Sequence, residues 1–226
     1  YQDFMRNARG VSPTIGYPIT HALRVSLGYT LEDVEIETNQ AIDGPALDNL
    51  TRAGISSAVK GSISYDTRDN RLFPTKGMYH VFDAEVSSPA IGADESMSFK
   101  RLNLAMRFYH PVVWKFVLKL NASLGYIFGG GVHGVPVSER FFPGGIYTIR
   151  GFEPRSLGPT KAVTSDNDPA SASREFNIGG NKQALFNLEI EFPILEAAGI
   201  KGVLFADAGN AYDDAENFFL YDTEIE

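Results

Sequence analysis

The chain has 226 residues, of which 43% are hydrophobic and 12% aromatic, and this length suits a single large β domain. The formal net charge of −8 argues against nucleic acid as the main partner, because such a partner requires a basic surface. The absence of cysteine excludes disulfides and cysteine-ligated metals, and no apolar run reaches the length of about 18 residues that a transmembrane helix needs.

Alternation of apolar and polar residues is the dominant pattern along the chain. In residues 23–30, for example, the odd positions are apolar and the even positions are small or polar. Because successive side chains of a strand point to opposite faces, this period predicts strands with one apolar and one polar face. Eight strands are predicted, near 10–18, 21–36, 55–67, 77–88, 97–110, 113–129, 182–193 and 200–212.

The connections between the predicted strands alternate in length. Short turns are expected at 18–20, 69–76 and 110–112, and longer polar or glycine-rich loops at 37–54, 89–96 and 130–181. Short turns at one end and long loops at the other are typical of a transmembrane β-barrel of the outer membrane.

The polar faces of the predicted strands carry charged side chains, which would be costly in the dry core of a sandwich. They are compatible with a water-filled lumen if the apolar face meets lipid. A soluble antiparallel sheet explains the alternation equally well. The predicted length of strand 113–129 and the aromatic residues near the strand ends favour the membrane barrel. The charged positions are Arg101, Arg107, Lys115, Lys119, Glu189 and Glu191.

The longest predicted loop contains the sequence Ile149-Arg150-Gly151-Phe152. A guanidinium between apolar residues and a glycine is unusual in an exposed loop. This arrangement predicts that the loop folds back onto a surface that holds Arg150 in a fixed place.

Four stretches together resemble the barrels of the BamA family of outer-membrane β-barrel assembly factors and their superfamily relatives. Residues 64–77 resemble the family's strand–turn–strand signature, and residues 141–159 resemble its long sixth loop with the Val/Ile-Arg-Gly-Phe tetrad. Residues 179–189 and 205–210 resemble the strand after that loop and the Phe-x-Asp-x-Gly strand. The four stretches follow in the family's order across most of the chain.

The resemblance implies an all-β, antiparallel transmembrane barrel in the bacterial outer membrane. The chain would supply about eight of the family's sixteen strands, so that residues 1–226 form a partial barrel domain. The loop at 130–181 would insert into the lumen. By this resemblance, the N-terminal POTRA domains and the terminal barrel strands of the family are expected to be absent from residues 1–226.

The resemblance also implies partners for the loop arginine. In the family this arginine contacts an aromatic and an acidic residue of the inner wall, and the matching positions are Phe205 and Asp207. Glu189 matches a further inward acid. The alternation is consistent with these roles, because Glu189 lies on the polar face of its strand and Phe205 and Asp207 share a face.

The family's turn signature falls on Asp66, Arg68, Asp69, Pro74 and Gly77. Its acids are too few and wrongly spaced for a calcium loop, so turn formation is the preferred interpretation. No phosphate-binding loop, histidine ligand spacing or Ser/His/Asp set is recognisable, and no cofactor is expected.

The implied function is non-enzymatic assembly and insertion of β-barrel proteins into the outer membrane. The expected partners are unfolded outer-membrane proteins, accessory assembly lipoproteins and the lipid bilayer. One alternative is a related transporter for two-partner secretion or autotransporter assembly, since such proteins share the tetrad. A soluble β-domain with enzymatic activity is the third hypothesis.

Overall fold

A computed structural model of the chain describes residues 4–38, 53–129, 134–163 and 174–216. The described residues form eleven strands and four short 3-10 helices. The helices are Pro89–Ile91, Glu95–Met97, Val137–Glu139 and Glu196–Ala198. The strands are β1 (Phe4–Val11), β2 (Thr14–Pro18), β3 (Leu23–Thr38), β4 (Gly54–Asp66), β5 (Gly77–Ser87), β6 (Phe99–Pro111), β7 (Val117–Phe128), β8 (Thr160–Val163), β9 (Arg174–Asn177), β10 (Lys182–Leu195) and β11 (Ile200–Tyr212).

Nine of the strands form one sheet in which all pairings are antiparallel. Its order is β1-β3-β4-β5-β6-β7-β10-β11, and β2 also pairs with β3. The remaining strands, β8 and β9, form a separate hairpin within the long loop. The predicted all-β antiparallel class is therefore confirmed. Among the described residues, no helix is long and apolar enough to cross a membrane.

The register of the sheet sorts its side chains into two faces. The face that meets the long loop, called the inner face here, carries the aligned row Arg107, Asn121, Asn187 and Asp207. One residue further along, the opposite face carries the row Phe108, Leu120, Leu188 and Ala206. The apolar outer face leaves large side chains such as Phe108, Leu120 and Leu188 exposed, as expected for a surface that meets lipid.

Two predicted strand boundaries differ from the structure. The single strand predicted at 10–18 is two strands, β1 and β2, which are interrupted at Ser12-Pro13 and both pair with β3. Proline has no N–H to contribute to a ladder, which explains the break. This split is why the main sheet has nine strands where eight were predicted.

The second difference is at the start of the strand predicted at 113–129, which begins at Val117. Residues 113–116 form a tight turn, closed by a hydrogen bond from Val112 N to Phe116 O of 2.8 Å. Trp114 at its tip has a φ of +57°. Alternation alone could not reveal this turn, because its residues continue the apolar pattern of the strand.

The lengths of the connections agree with the layout expected from the sequence. The turns at 19–22, 67–76, 112–116 and 196–199 lie at one end of the main sheet, because consecutive strands run in opposite directions. Most of the loop predicted at 37–54 lies outside the described residues, as do 130–133 and 164–173 of the loop at 130–181.

Candidate functional site

Arg150 of the long loop lies against the carboxylate of Asp207 on the inner face of β11. Its backbone N and side-chain Nε donate to Asp207 Oδ2 at 2.9 and 2.7 Å, and its Nη2 donates to Oδ1 at 2.6 Å. The Asp207 side chain is only 3% exposed. A planar guanidinium gripping both oxygens of a carboxylate is a strong and directional contact.

Two further wall residues complete the surroundings of the guanidinium. Arg150 Nη1 donates to Glu189 Oε1 on β10 at 2.5 Å. The guanidinium carbon lies 3.8 Å from the centre of the Phe205 ring, which is a cation–π distance. Hydrogen bonding to Asp207, opposed by partial burial and reinforced by Glu189, raises the pKa of Arg150 above its already high ordinary value. The loop arginine therefore remains charged at any physiological pH.

The register between β10 and β11 brings the three wall residues together. Glu189 pairs with Phe205, and Asn187 pairs with Asp207. All four therefore project from the same face within two rungs of the ladder. Asn187 Nδ2 donates to Asp207 Oδ1 at 2.9 Å, which fills a remaining acceptor site of the carboxylate.

A tight turn at Gly144 in the long loop determines where Arg150 contacts β10 and β11. Gly144 has a φ of +116°, and a Cβ there would lie 2.3 Å from Glu153 O, so glycine is required. Its N–H donates to Thr148 Oγ1 at 2.8 Å, and Asn187 Nδ2 donates to Thr148 O at 2.7 Å. The turn is thus tied to the same strand as Glu189.

The other residues of the tetrad occupy different surroundings. Ile149 is buried, whereas Phe152 is exposed. Gly151 lies between them with a φ of +89°. Within the described part of the chain, no group of histidine and carboxylate side chains is arranged to hold a metal ion.

The Omp85 superfamily domain model matches residues 1–223 of the chain. The chain belongs to the Omp85 superfamily. Curated relatives include the outer membrane protein assembly factor BamA of Nitratidesulfovibrio vulgaris, which is 29% identical over 218 residues. The BamA of Neisseria meningitidis serogroup B is 25% identical over 227 residues. These matches cover 96% and 94% of this chain but 26% and 27% of the relatives, so the chain spans about a quarter of their length.

A solved structure shows the same fold. The crystal structure of BamA from Haemophilus ducreyi lacking POTRA domains 1–3 superposes with a TM-score of 0.78 at 20% identity. The match covers 93% of this chain and 42% of that one. This likeness shows the fold, and the match to the Omp85 model and to the curated relatives identifies the sheet as part of the wall of a bacterial outer-membrane protein.

The turn signature of this Omp85 domain is a compact hydrogen-bonded unit at the short-turn end of the sheet. Asp66, the last residue of β4, accepts from Arg68 Nε and Nη2, both at 2.9 Å. Arg68 also lies 4.4 Å above the Tyr79 ring. Pro74 is buried within the turn, and Gly77 starts β5 with a φ of +104°.

Asp69 organises the rest of the turn. Its carboxylate accepts from Thr75 Oγ1 at 2.6 Å and from the backbone N–H groups of Asn70, Thr75 and Lys76 at 2.9–3.1 Å. Hydrogen bonds from the Thr75 hydroxyl and N–H are the main reason that the pKa of Asp69 lies well below its ordinary value. The turn therefore depends on the ionised form of this side chain.

This dependence predicts a pH-sensitive effect for Asp69→Asn. Because the folded-state pKa is lowered, the stabilisation is complete above the unfolded value of about 3.9 and is lost as pH falls through the lower folded value. We expect the variant to unfold at a lower temperature than the wild type at pH 7, measured by heat-induced gel shift. The difference should narrow below about pH 4. A difference that is the same at pH 7 and pH 3 would contradict this explanation.

The structure also reveals a polar contact of the loop that sequence reasoning missed. Glu139, at the end of the 3-10 helix, accepts from Arg101 Nη2 of β6 at 2.7 Å. The inward position of Arg101 was evident from alternation, but its partner lies 38 residues away in a loop. The only available signal was an acid, separated by Arg140 from the aromatic pair Phe141 and Phe142, in a stretch that begins with Val135, Pro136 and Val137.

The first described part of the long loop, residues 134–142, is called the loop root here. Its close packing against β7 gives another prediction. A Cβ at Gly125 would lie 2.6 Å from Cζ of the Phe141 ring. We expect Gly125→Ala to displace this ring and raise the protease sensitivity of the loop in the folded protein. Gly61→Ala on β4 is the matched control, since its Cβ would have no atom nearer than 4.0 Å. Equal sensitivity of the two variants would refute the role of this contact.

Proposed function

We propose that the protein containing this chain assembles β-barrel proteins and inserts them into the bacterial outer membrane, without covalent chemistry. The observation that carries the proposal is the match of nearly the whole chain to curated proteins named as outer membrane protein assembly factor BamA. The clients would be unfolded outer-membrane proteins. Accessory lipoproteins and the surrounding bilayer would be the other partners.

In this proposal the long loop braces the barrel wall while clients are added elsewhere on the barrel. Edge pairing is a physically reasonable route, because an unpaired strand edge near lipid offers hydrogen-bonding groups that water cannot satisfy. Arg150 would hold the loop against β10 and β11 through Asp207, Glu189 and Phe205. Its role would be positional, since the contacts fix a segment and do not form a reactive site.

Depletion of the full-length protein, followed by quantification of all outer-membrane proteins, tests the proposal. We expect a fall across many barrels that share no sequence similarity. Loss of one secreted protein with other barrels unchanged would overturn the proposal and assign the protein to dedicated secretion, which other members of the superfamily carry out.

A further inference from the structure

The root of the long loop carries a charged side chain that is more deeply buried than Arg150. Glu139 is 9% exposed, whereas the Arg150 side chain is 22% exposed. Besides the bond from Arg101 Nη2 to its carboxylate, the same nitrogen donates to the Glu139 backbone O at 2.8 Å. One guanidinium thus holds both the side chain and the main chain of this loop residue.

The carboxylate of Glu139 also reaches a second strand. Arg6 Nη2 of β1 donates to Glu139 Oε1 at 3.3 Å. In the sheet order, β1 and β6 are separated by β3, β4 and β5. A single loop residue therefore connects β1 with β6 on the inner face. Backbone hydrogen bonds of the sheet cannot make this connection, because they join only adjacent strands.

Both arginines have a wall carboxylate of their own. Arg101 Nη1 donates to Glu85 of β5 at 2.9 Å, and Arg6 Nη2 donates to Glu32 of β3 at 2.8 Å. Removing the charge of Glu139 would leave two arginines and two glutamates in balance on the wall. Glu139 is thus not needed to neutralise the wall, and its burial has to be explained by what it does for the loop.

Apolar contacts secure the same root. Val137, two residues before Glu139, is buried in a cluster with Phe176 and Ile178 from the end of the loop. Ile36 of β3 and Phe142 pack against this cluster. The ion pairs and the apolar cluster fix the root against strands other than β10 and β11, which hold Arg150.

We propose that Glu139 is a positioning residue that forms a second latch of the loop, independent of Arg150. A segment attached at one point can still rotate about it, and a second attachment fixes its direction across the lumen. Arg101 and Arg6 hold the root against β6 and β1, and Asp207 and Glu189 hold the tetrad against β11 and β10. This inference rests on the proposed assembly function only for its biological purpose, because the latch itself can be measured without clients.

Cysteine labelling of the full-length protein, folded in lipid vesicles, tests the two latches separately. The chain contains no cysteine, so reporters introduced here give the only signal from this region. Val137→Cys reports on the root and Ile149→Cys on the tetrad, and both positions are buried. Each reporter is combined with Glu139→Gln, with Arg150→Ala, and with the matched control Glu153→Gln, an exposed acid of the same loop.

We expect a crossed pattern of maleimide labelling rates. In Glu139→Gln, the cysteine at position 137 should be labelled about tenfold faster than in the parent, and the cysteine at position 149 should be accelerated less. The reason is that losing a charge-assisted hydrogen bond raises the population of the locally open loop by about this factor. Arg150→Ala should show the reverse preference, and Glu153→Gln should match the parent at both positions. Equal rates at position 137 in the Glu139 and Glu153 variants would overturn the second latch, as would parallel acceleration at both reporters.

The outcome does not depend on assembly activity. If Glu139→Gln yields no folded barrel by heat-induced gel shift, Glu139→Asp replaces it, because it keeps the charge on a shorter side chain. The same comparison with Glu153→Gln then decides. A protein that shows the crossed pattern but assembles no clients would retain both latches and contradict the proposed function alone.

Discussion

Replacing Arg150 with alanine is expected to free the centre of the long loop and to slow assembly of client barrels. The substitution removes every guanidinium bond to Asp207 and Glu189 and the stacking on Phe205. Removing one partner of a largely buried charge pair costs about 3 kcal/mol of local stability, and the Asp207 side chain is 3% exposed while Arg150 covers it. Protease cleavage of the loop and the rate of client folding measure the two effects.

Two variants sharpen the Arg150 prediction. Arg150→Lys keeps the charge but cannot grip both oxygens of Asp207, so its effect should be intermediate. Lys161→Ala is the matched control, because Lys161 is an exposed cation on β8 of the same loop. Wild-type protease resistance and client folding in Arg150→Ala would contradict the role of this contact.

Loss of Asp207 is expected to loosen the loop far more than loss of Glu189. Asp207 is 3% exposed and accepts bonds from Asn187 and from three nitrogens of Arg150. Glu189 is 28% exposed and accepts one bond from Arg150. We expect Asp207→Ala to cost about 2–4 kcal/mol and Glu189→Ala about 1 kcal/mol or less, given the closer approach of water to Glu189.

The ranking is measured by the protease concentration at which half of the folded protein is cut in the loop. Asp207→Asn should lie between the wild type and Asp207→Ala, because the amide keeps one acceptor oxygen but no charge. Equal effects of Asp207→Ala and Glu189→Ala would show that the net charge of the wall holds the loop. They would contradict the role of the paired hydrogen bonds from Arg150 to the two oxygens of Asp207.

Alternation in the sequence predicted the faces of the strands but not their alignment. Parity placed Phe205 and Asp207 on one face, and Glu189 on the polar face of its own strand. That Glu189 lies opposite Phe205 depends on the turn at 196–199 and on the irregularity between Pro193 and Leu195, which set the register. The prediction that Glu189, Phe205 and Asp207 surround Arg150 came from the family resemblance. The alternation of apolar and polar residues alone is compatible with several registers between β10 and β11.

Features that depend on distant contacts were not predictable from local pattern. Glu139 meets Arg101 and Arg6 only because the loop crosses the inner face, and no period in the sequence encodes that crossing. The break at Ser12-Pro13 had a local signal in the proline, but the neighbouring alternation outweighed it. The turn between β6 and β7 was expected at 110–112, but its place at 112–116 had no local signal, because valine and tryptophan are common in strands.

Reconstitution tests most directly the proposal that the protein containing this chain accelerates the folding of other barrels into a bilayer. The purified full-length protein in lipid vesicles receives urea-unfolded outer-membrane barrels of at least two unrelated sequences, and folding is followed by heat-induced gel shift. We predict that both clients fold faster than in protein-free vesicles and that Arg150→Ala reduces this gain. Equal folding rates with and without the wild-type protein would contradict the account.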